Sequence, residues 1–372
     1  MRPRVLFVGR TRYALPLNLS LARKWDALAR ELDLIVLARR MAGSSGKDSR
    51  FRLSLPANGL LLHLLLPFRV ARELRHFKAD AVVAQGPYEA LAVLLARRLA
   101  RRSPALVVDV HGDWRTATDL YGSRARAALR GPARLAATFA LRRADAVRTI
   151  SDFTSSLVRR TGVEPTAVFP AYVDLGVFLA DPVTPLPTQP QALFVGVLER
   201  YKGVDVLLDA WRRVRRQLPE VRLVVVGHGR MAASLEEAER ELGTQLVWRQ
   251  SVEQAEVSRL LDASTALVLP SRSEGLPRIV MEAFCRGRAV VGARSGGIPD
   301  LVVDGENGLL VEAENVETLA QALLDVLADR ALAERLGSGA QASEGSWKAG
   351  ADEFARLTKA LVERAIASRH VD

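Results

Sequence analysis

Glu274 and Glu282 stand eight residues apart in the run Ser271-Arg272-Ser273-Glu274-Gly275-Leu276-Pro277-Arg278-Ile279-Val280-Met281-Glu282, directly after the apolar stretch 266–270. A carboxylate has two lone-pair-rich oxygens and accepts two adjacent hydroxyls, so a spaced pair of them suits a sugar. Pro277 fits the first position of a helix and Gly287 its C-terminal cap, which predicts a short helix over 277–286. Glu274 then lies in the loop and Glu282 about a turn and a half into the helix, where the two flank one ligand. The free amides of Arg278 and Ile279 at the helix start face the loop and favour a phosphate. Taken alone, the two glutamates read better as a surface residue on a capping loop and a solvent-facing helical residue.

A second segment makes the pair informative. Gly196-Val197-Leu198-Glu199-Arg200-Tyr201-Lys202-Gly203 follows another apolar run and opens another helix, with Arg200 and Lys202 as a cationic pair. If both strand ends face one crevice, these cations meet a diphosphate whose other side rests on the 277–286 helix. A departing nucleoside diphosphate is then stabilised without a metal. Two glycine turns, Gly227-His228-Gly229 and Ser295-Gly296-Gly297-Ile298-Pro299, allow backbone to approach a ligand closely. The full Gly-x-Gly-x-x-Gly is absent, since Ala232 holds the sixth position, which counts against a nicotinamide or flavin cofactor. The five histidines are scattered, Cys285 is the one cysteine and no Asp-x-Asp occurs, so neither a metal nor a cofactor is expected.

The elements that must position these residues follow from periodicity. Apolar runs of strand length alternate with amphipathic segments of helix length throughout, the pattern of an α/β chain with parallel sheets. Strands are expected near 4–8, 33–37, 81–84, 105–110 and 146–150, and helices near 15–31, 59–77, 87–102 and 123–143, with Gly131-Pro132 breaking the last. The segment 181–190 carries four prolines and few large apolar residues, and reads as a linker. Strands near 192–195, 222–226, 245–248, 266–269, 289–292 and 308–311 follow it. The expectation is two doubly wound domains, 1–180 and 181–347, with a closing helix over about 348–372.

Charge is unevenly spread over the 372 residues: the first 180 carry 30 Lys/Arg against 14 Asp/Glu, the rest 23 against 28. Such a basic half favours an anionic surface or ligand. A single cysteine excludes an internal disulfide and fits a reducing compartment, so a cytoplasmic location is expected. No signal peptide or membrane-spanning run is read in the sequence, the apolar stretch 60–68 being broken by His63 and Pro67. The basic, Leu-rich segment 60–77 reads first as a core helix and second as one that lies on an acidic bilayer.

Together these segments resemble the family 4 retaining glycosyltransferases of the GT-B fold, in which two Rossmann-like domains face each other across a cleft. The resemblance runs from the linker to about residue 330 and is carried by the ordered set of motifs. It implies a donor site of Gly196, Arg200, Lys202, Gly227, Glu274, Gly275, Leu276, Pro277, Arg278, Ile279 and Glu282, with Glu274 on the transferred sugar and Glu282 on the ribose. In the first half, Asp109-Val110-His111-Gly112-Asp113 resembles the family's His-Gly segment, in which the histidine lies near the reacting sugar. Gly9, Arg10, Arg12, His111, Gly112 and Asp113 are the acceptor-side residues that this implies, and Glu274, His111, Arg200 and Lys202 the catalytic ones. Two departures stand out. Val197 replaces an Arg that many members carry, and the loop Gly9-Arg10-Thr11-Arg12-Tyr13 replaces a Gly-Gly turn. By the same resemblance the closing helix crosses back to the first domain.

The implied reaction is transfer from a nucleotide-diphosphate sugar to a saccharide or lipid-linked acceptor, with an acidic membrane as the accompanying surface. The rival readings are an epimerase of nucleotide sugars on a related scaffold and a basic binding module without catalysis. Nucleic acid is not an expected partner, since the five tyrosines and five tryptophans form no aromatic platform.

Overall fold

The expected apolar runs become strands of two parallel sheets in the computed structural model, which describes residues 1–54, 59–115, 130–343 and 345–369. The chain divides into two compact units, Met1–Asp174 with Ala349–Asp372, and Leu175–Lys348.

The first unit holds β1 (Arg4–Tyr13), β2 (Asp33–Arg40), β3 (Phe51–Ser54), β4 (Ala81–Ala84), β5 (Ala105–Val110), β6 (Ala146–Thr149) and β7 (Ala167–Val168), in the order β3-β2-β1-β4-β5-β6-β7. Strands such as Ala81–Ala84 and Ala105–Val110 are buried along their whole length, as central strands covered on both faces must be. Helices α1 (Leu19–Glu31), α2 (Gly59–Phe77), α3 (Pro87–Ala100), α4 (Arg130–Arg142) and α5 (Asp152–Arg159) belong to this unit. The closing helix Ala351–Ser368 packs beside α1.

Several sequence expectations are corrected here. Gly9 to Tyr13 is no loop but a continuation of β1, with Arg12 opposite Arg39 and Tyr13 opposite Arg40 after a register shift. The cause is packing: Tyr13 and Phe51 both set their rings edge-on to the buried Trp25, at centroid distances of 6.1 and 5.6 Å. The same contacts fix β3, which the sequence pattern did not reveal. Helix α1 starts at Leu19, not near residue 15, because the Asn18 side chain accepts the Leu21 amide and caps it there. Of the helix expected at 123–143, residues 123–129 lie outside the described ones. The described part of α4 runs through Gly131 and Pro132 without the expected break.

The second unit holds β8 (Gln191–Val195), β9 (Arg222–Val226), β10 (Leu246–Arg249), β11 (Ala266–Leu269), β12 (Ala289–Ala293) and β13 (Gly308–Val311), in the order β10-β9-β8-β11-β12-β13. Its helices are α6 (Val204–Gln217), α7 (Ala232–Leu242), α8 (Gln254–Asp262), α9 (Arg278–Cys285), α10 (Val316–Ala328) and α11 (Arg330–Ala342), besides one turn of helix at Gly176–Leu179. Apolar side chains of β8, β9, α6 and α10, among them Ala192 and Phe194 of β8, make one continuous core.

The proline-rich segment lies within this second unit, and the division falls ahead of it. Two buried arginines explain why. Arg286 pairs with Asp262 at 2.8 Å and donates to the carbonyls of Phe178, Asp181 and Pro182, while Arg288 donates to Leu261, Asp262 and Thr184. Prolines leave carbonyls without ladder partners, and these guanidinium groups satisfy them.

Candidate functional site

Both sheets reverse their winding once, between β1 and β4 and between β8 and β11. At such a point the loops leave in opposite directions and open a crevice beyond the carboxyl ends of the strands. In the second unit the two loops are Gly196 to Gly203, after β8, and Pro270 to Pro277, after β11.

A lattice of backbone bonds fixes them. The Gly196 amide donates to Val226 O, the Leu198 amide to His228 O and the Met231 amide to Leu198 O, each at 2.9 Å, which locks the first loop to the Gly227 turn. Gly227 has φ +150°, and a Cβ there would fall 1.8 Å from Gly196 O, so only glycine fits. Gly296 has φ +58° with its Cβ position 2.4 Å from Glu274 O, and the Gly297 amide donates to that carbonyl at 2.9 Å. The last glycine turn thus grips the backbone of Glu274.

Within this frame Lys202 Nζ lies 2.6 Å from Glu274 Oε1, both side chains largely buried. The pair links the β8 and β11 loops. Arg200 does not join it: its side chain is exposed and makes no hydrogen bond or ion pair among the described residues. The guanidinium that ties the loops together is Arg272, which sequence reasoning passed over. Its two Nη atoms each reach Asp205 at 2.8 Å and its Nε reaches Glu314 at 2.8 Å, while its own amide donates to Tyr201 O at 2.7 Å. The signal available in sequence was an arginine next to the strand end and an aspartate in the first turn of α6.

Pro277 is the residue ahead of helix α9, not its first member, and the helix runs over Arg278–Cys285. Pro277 and Ile279 are buried, Gly275 and Leu276 half-buried, and Arg278 is exposed. Glu282 is 3% exposed and forms an ion pair with Arg278, whose Nε stands 3.0 Å from Glu282 Oε1. Burial raises the Glu282 carboxyl to about 7, against the opposing pull of Arg278. Among the described residues no three His, Cys, Asp or Glu side chains gather as metal ligands.

In the first unit, Gly9 is buried, and the exposed Arg10 forms an ion pair with the fully buried Glu89 in the first turn of α3. Arg12 is carried away along β2. His111 leaves the end of β5, with Nε2 2.8 Å from Asp109 Oδ2. Gly112 follows it, and Asp113 accepts from the Arg115 side chain at 2.8 and 2.6 Å. Asp109 also holds Arg148 Nη1 at 2.6 Å, a buried pair missing from the sequence reading. Its signal was an arginine and an aspartate inside strands otherwise made of Ala, Val, Leu and Thr.

Comparison with known proteins divides the chain in the same way. Residues 181–343 match the family Glycosyl transferases group 1, and residues 18–172 match the Glycosyl transferase 4-like domain. A D-inositol 3-phosphate glycosyltransferase of Corynebacterium aurimucosum is 33% identical over 183 residues, 46% of this chain and 43% of that protein. Matches of this kind span 30% to 56% of the length of the curated relatives. Among solved structures, sucrose-phosphate synthase from Thermosynechococcus elongatus superposes with a TM-score of 0.78 at 20% identity, covering 97% of this chain and 100% of that one. Anabaena HepE in complex with UDP-glucose gives 0.68 at 18% identity, with 100% of both chains covered. At these identities the likeness establishes the fold.

Proposed function

The chain belongs to the family 4 glycosyltransferases of GT-B fold, and from that premise we propose that it transfers a hexose from a nucleotide-diphosphate sugar to an acceptor hydroxyl, with retention and without a metal. The observation that carries the reading is the Lys202–Glu274 pair, set at the switch point beside the start of α9.

In this proposal the diphosphate lies between Lys202, with Arg200 swinging in, and the amides of Arg278 and Ile279. The phosphate takes Lys202 from Glu274, and the freed carboxylate accepts hydroxyls of the transferred sugar, while Glu282 accepts those of the ribose. Positive charge at the leaving oxygens stabilises their departure. The departing phosphate oxygen takes the acceptor's proton on the face it leaves, so the new bond forms on that face and the anomeric configuration is retained. No general-base side chain is required. HepE was solved with UDP-glucose, which makes uridine sugars the first donors to test.

The acceptor is proposed to be a saccharide or a lipid-linked saccharide at an acidic membrane on the cytoplasmic side, as in surface polysaccharide or glycolipid synthesis. Supporting this is the outer side of α2, α3 and α4, where Leu64, Leu65, Phe68, Leu95, Leu99, Leu135 and Phe139 are all exposed beside the exposed Arg72, Arg75, Arg98 and Arg143. Apolar side chains among arginines are what an anionic bilayer surface binds. No helix among the described residues is long and apolar enough to cross a membrane.

The test is thermal shift of the purified protein with UDP-, GDP-, ADP- and dTDP-sugars in EDTA, since a ligand of the native state raises its stability by mass action. A shift with one nucleotide class that disappears in Glu282→Ala is the expected outcome. A folded protein that responds to none of them would overturn the donor reading and favour the basic binding module.

A further inference from the structure

His111 is 40% exposed at the side chain and is nevertheless held by a buried charge pair behind it. Asp109 and Arg148 stand directly opposite each other in the β5–β6 register, so their side chains leave the sheet on the same face. Arg148 has no freedom. Beyond its 2.6 Å contact to Asp109 Oδ1, its Nη2 donates to Phe169 O at 3.0 Å and to Pro170 O at 2.7 Å. Its Cζ also lies 4.1 Å from the ring centroid of Phe169 and 5.3 Å from that of Phe354.

Asp109 is therefore pinned at Oδ1, and the direction of Oδ2 toward His111 is fixed with it. Burial works against ionisation of Asp109, but Arg148 above all, with His111 and the half-buried Lys24 of α1, holds its carboxyl well below the usual range. An ionised carboxylate can only accept, so the proton of the 2.8 Å bond belongs to His111 Nε2. A pair with a purely structural task would have no use for a half-exposed imidazole on its second oxygen.

We propose that Asp109 and Arg148 are positioning residues for His111, which hold its ring in the Nε2–H form and leave Nδ1 to accept a hydroxyl of a saccharide bound at the first unit. The role of that hydroxyl rests on the glycosyltransferase reading; the state of the ring does not. Asp109→Asn is the discriminating change, because it keeps the shape and alters the donors. Arg148 claims the amide oxygen, so the amide NH2 turns to His111 Nε2, and the ring proton must move to Nδ1.

The experiment is long-range proton–nitrogen correlation spectroscopy on the full chain labelled with 15N-histidine, with His111→Gln identifying the resonance. The expected result is an Nε2–H ring in the unmodified protein and an Nδ1–H ring in Asp109→Asn. An Nδ1–H ring in the unmodified protein, or an unchanged ring in Asp109→Asn, overturns the proposal. Arg148→Lys keeps a cation beside Asp109 and should preserve the Nε2–H form. Because this readout involves no substrate, it is independent of whether transfer is found. With a donor in hand, kcat in Asp109→Asn should fall by about 10- to 100-fold at nearly unchanged donor KM, and a change confined to KM would remove the positioning role.

Discussion

The carboxyl ends of the two sheets carry the same kind of interaction on different supports. In the second unit Lys202 and Glu274 meet across two loops that glycine turns hold in place. In the first unit Asp109 and Arg148 meet across two neighbouring strands, inside the packed face of the sheet. A pair carried by loops can part when a ligand offers a better partner to each member. A pair carried by strand register cannot part without disturbing the sheet, so its use is to aim a third residue. The contrast separates residues that exchange partners with a ligand from residues that hold others still.

The largest effect is expected where the strand-borne pair is broken. Arg148→Met leaves Asp109 buried without its principal cation, and removing one member of a buried pair costs about 3–5 kcal/mol. Urea unfolding should show an unfolding free energy lower by that amount, read as a reduced midpoint at an unchanged slope. A loss below about 1 kcal/mol would make this pair no more fixed than the one on the loops.

Lys202→Ala should behave in the opposite way. It is expected to reduce donor turnover by about 100- to 1,000-fold, the cost of removing one charged group that faces a developing anion. Stability should fall less than in Arg148→Met, since glycine turns and Arg272 still hold both loops and the freed carboxylate sits on a loop beside solvent, not inside the sheet. Single-turnover rates alongside a melting curve check both halves. A variant that melts early yet turns over normally would make Lys202 a fastener and not a ligand of the phosphate.

How far the sequence revealed these sites depends on the same contrast. The second unit was legible because its residues lie in short continuous segments whose spacing carries information: two glutamates eight apart, a proline before a helix, glycines after strands. Its strands were also read close to their true bounds, since parallel central strands are unbroken apolar runs. The first unit hid its network because Asp109 and Arg148 are brought together by register alone, 39 positions apart in the chain. The extension of β1 through Tyr13 was hidden for a related reason: it depends on rings from α1 and β3 that meet only after folding. Arg200 was given a place by its neighbour Lys202, whereas the fold gives the structural task to Arg272.

Glu282 lies between the two classes, buried like Asp109 yet set on the helix of the loop-borne site, and its ionisation offers the finest test of the comparison. Burial raises its carboxyl to about 7, so the folded protein keeps the proton over a range in which the unfolded chain releases it. A raised carboxyl contributes stability that is fully present below the unfolded value, about 4.3, and is lost as pH rises through the folded one. Within that window the contribution falls by about 1.4 kcal/mol per pH unit. Glu282→Gln, which cannot ionise, should therefore gain on the unmodified protein as pH is raised from about 4.5 to 7 in urea unfolding. Nucleotide binding should run the other way. Ribose hydroxyls are donors, and the carboxylate accepts them better than the acid, so affinity in the unmodified protein should rise through the same range and stay flat in Glu282→Gln. Opposite slopes would class Glu282 with Lys202 as a ligand-exchanging residue, whereas a pH-dependent stability with pH-independent binding would class it with Arg148 as a fixed one.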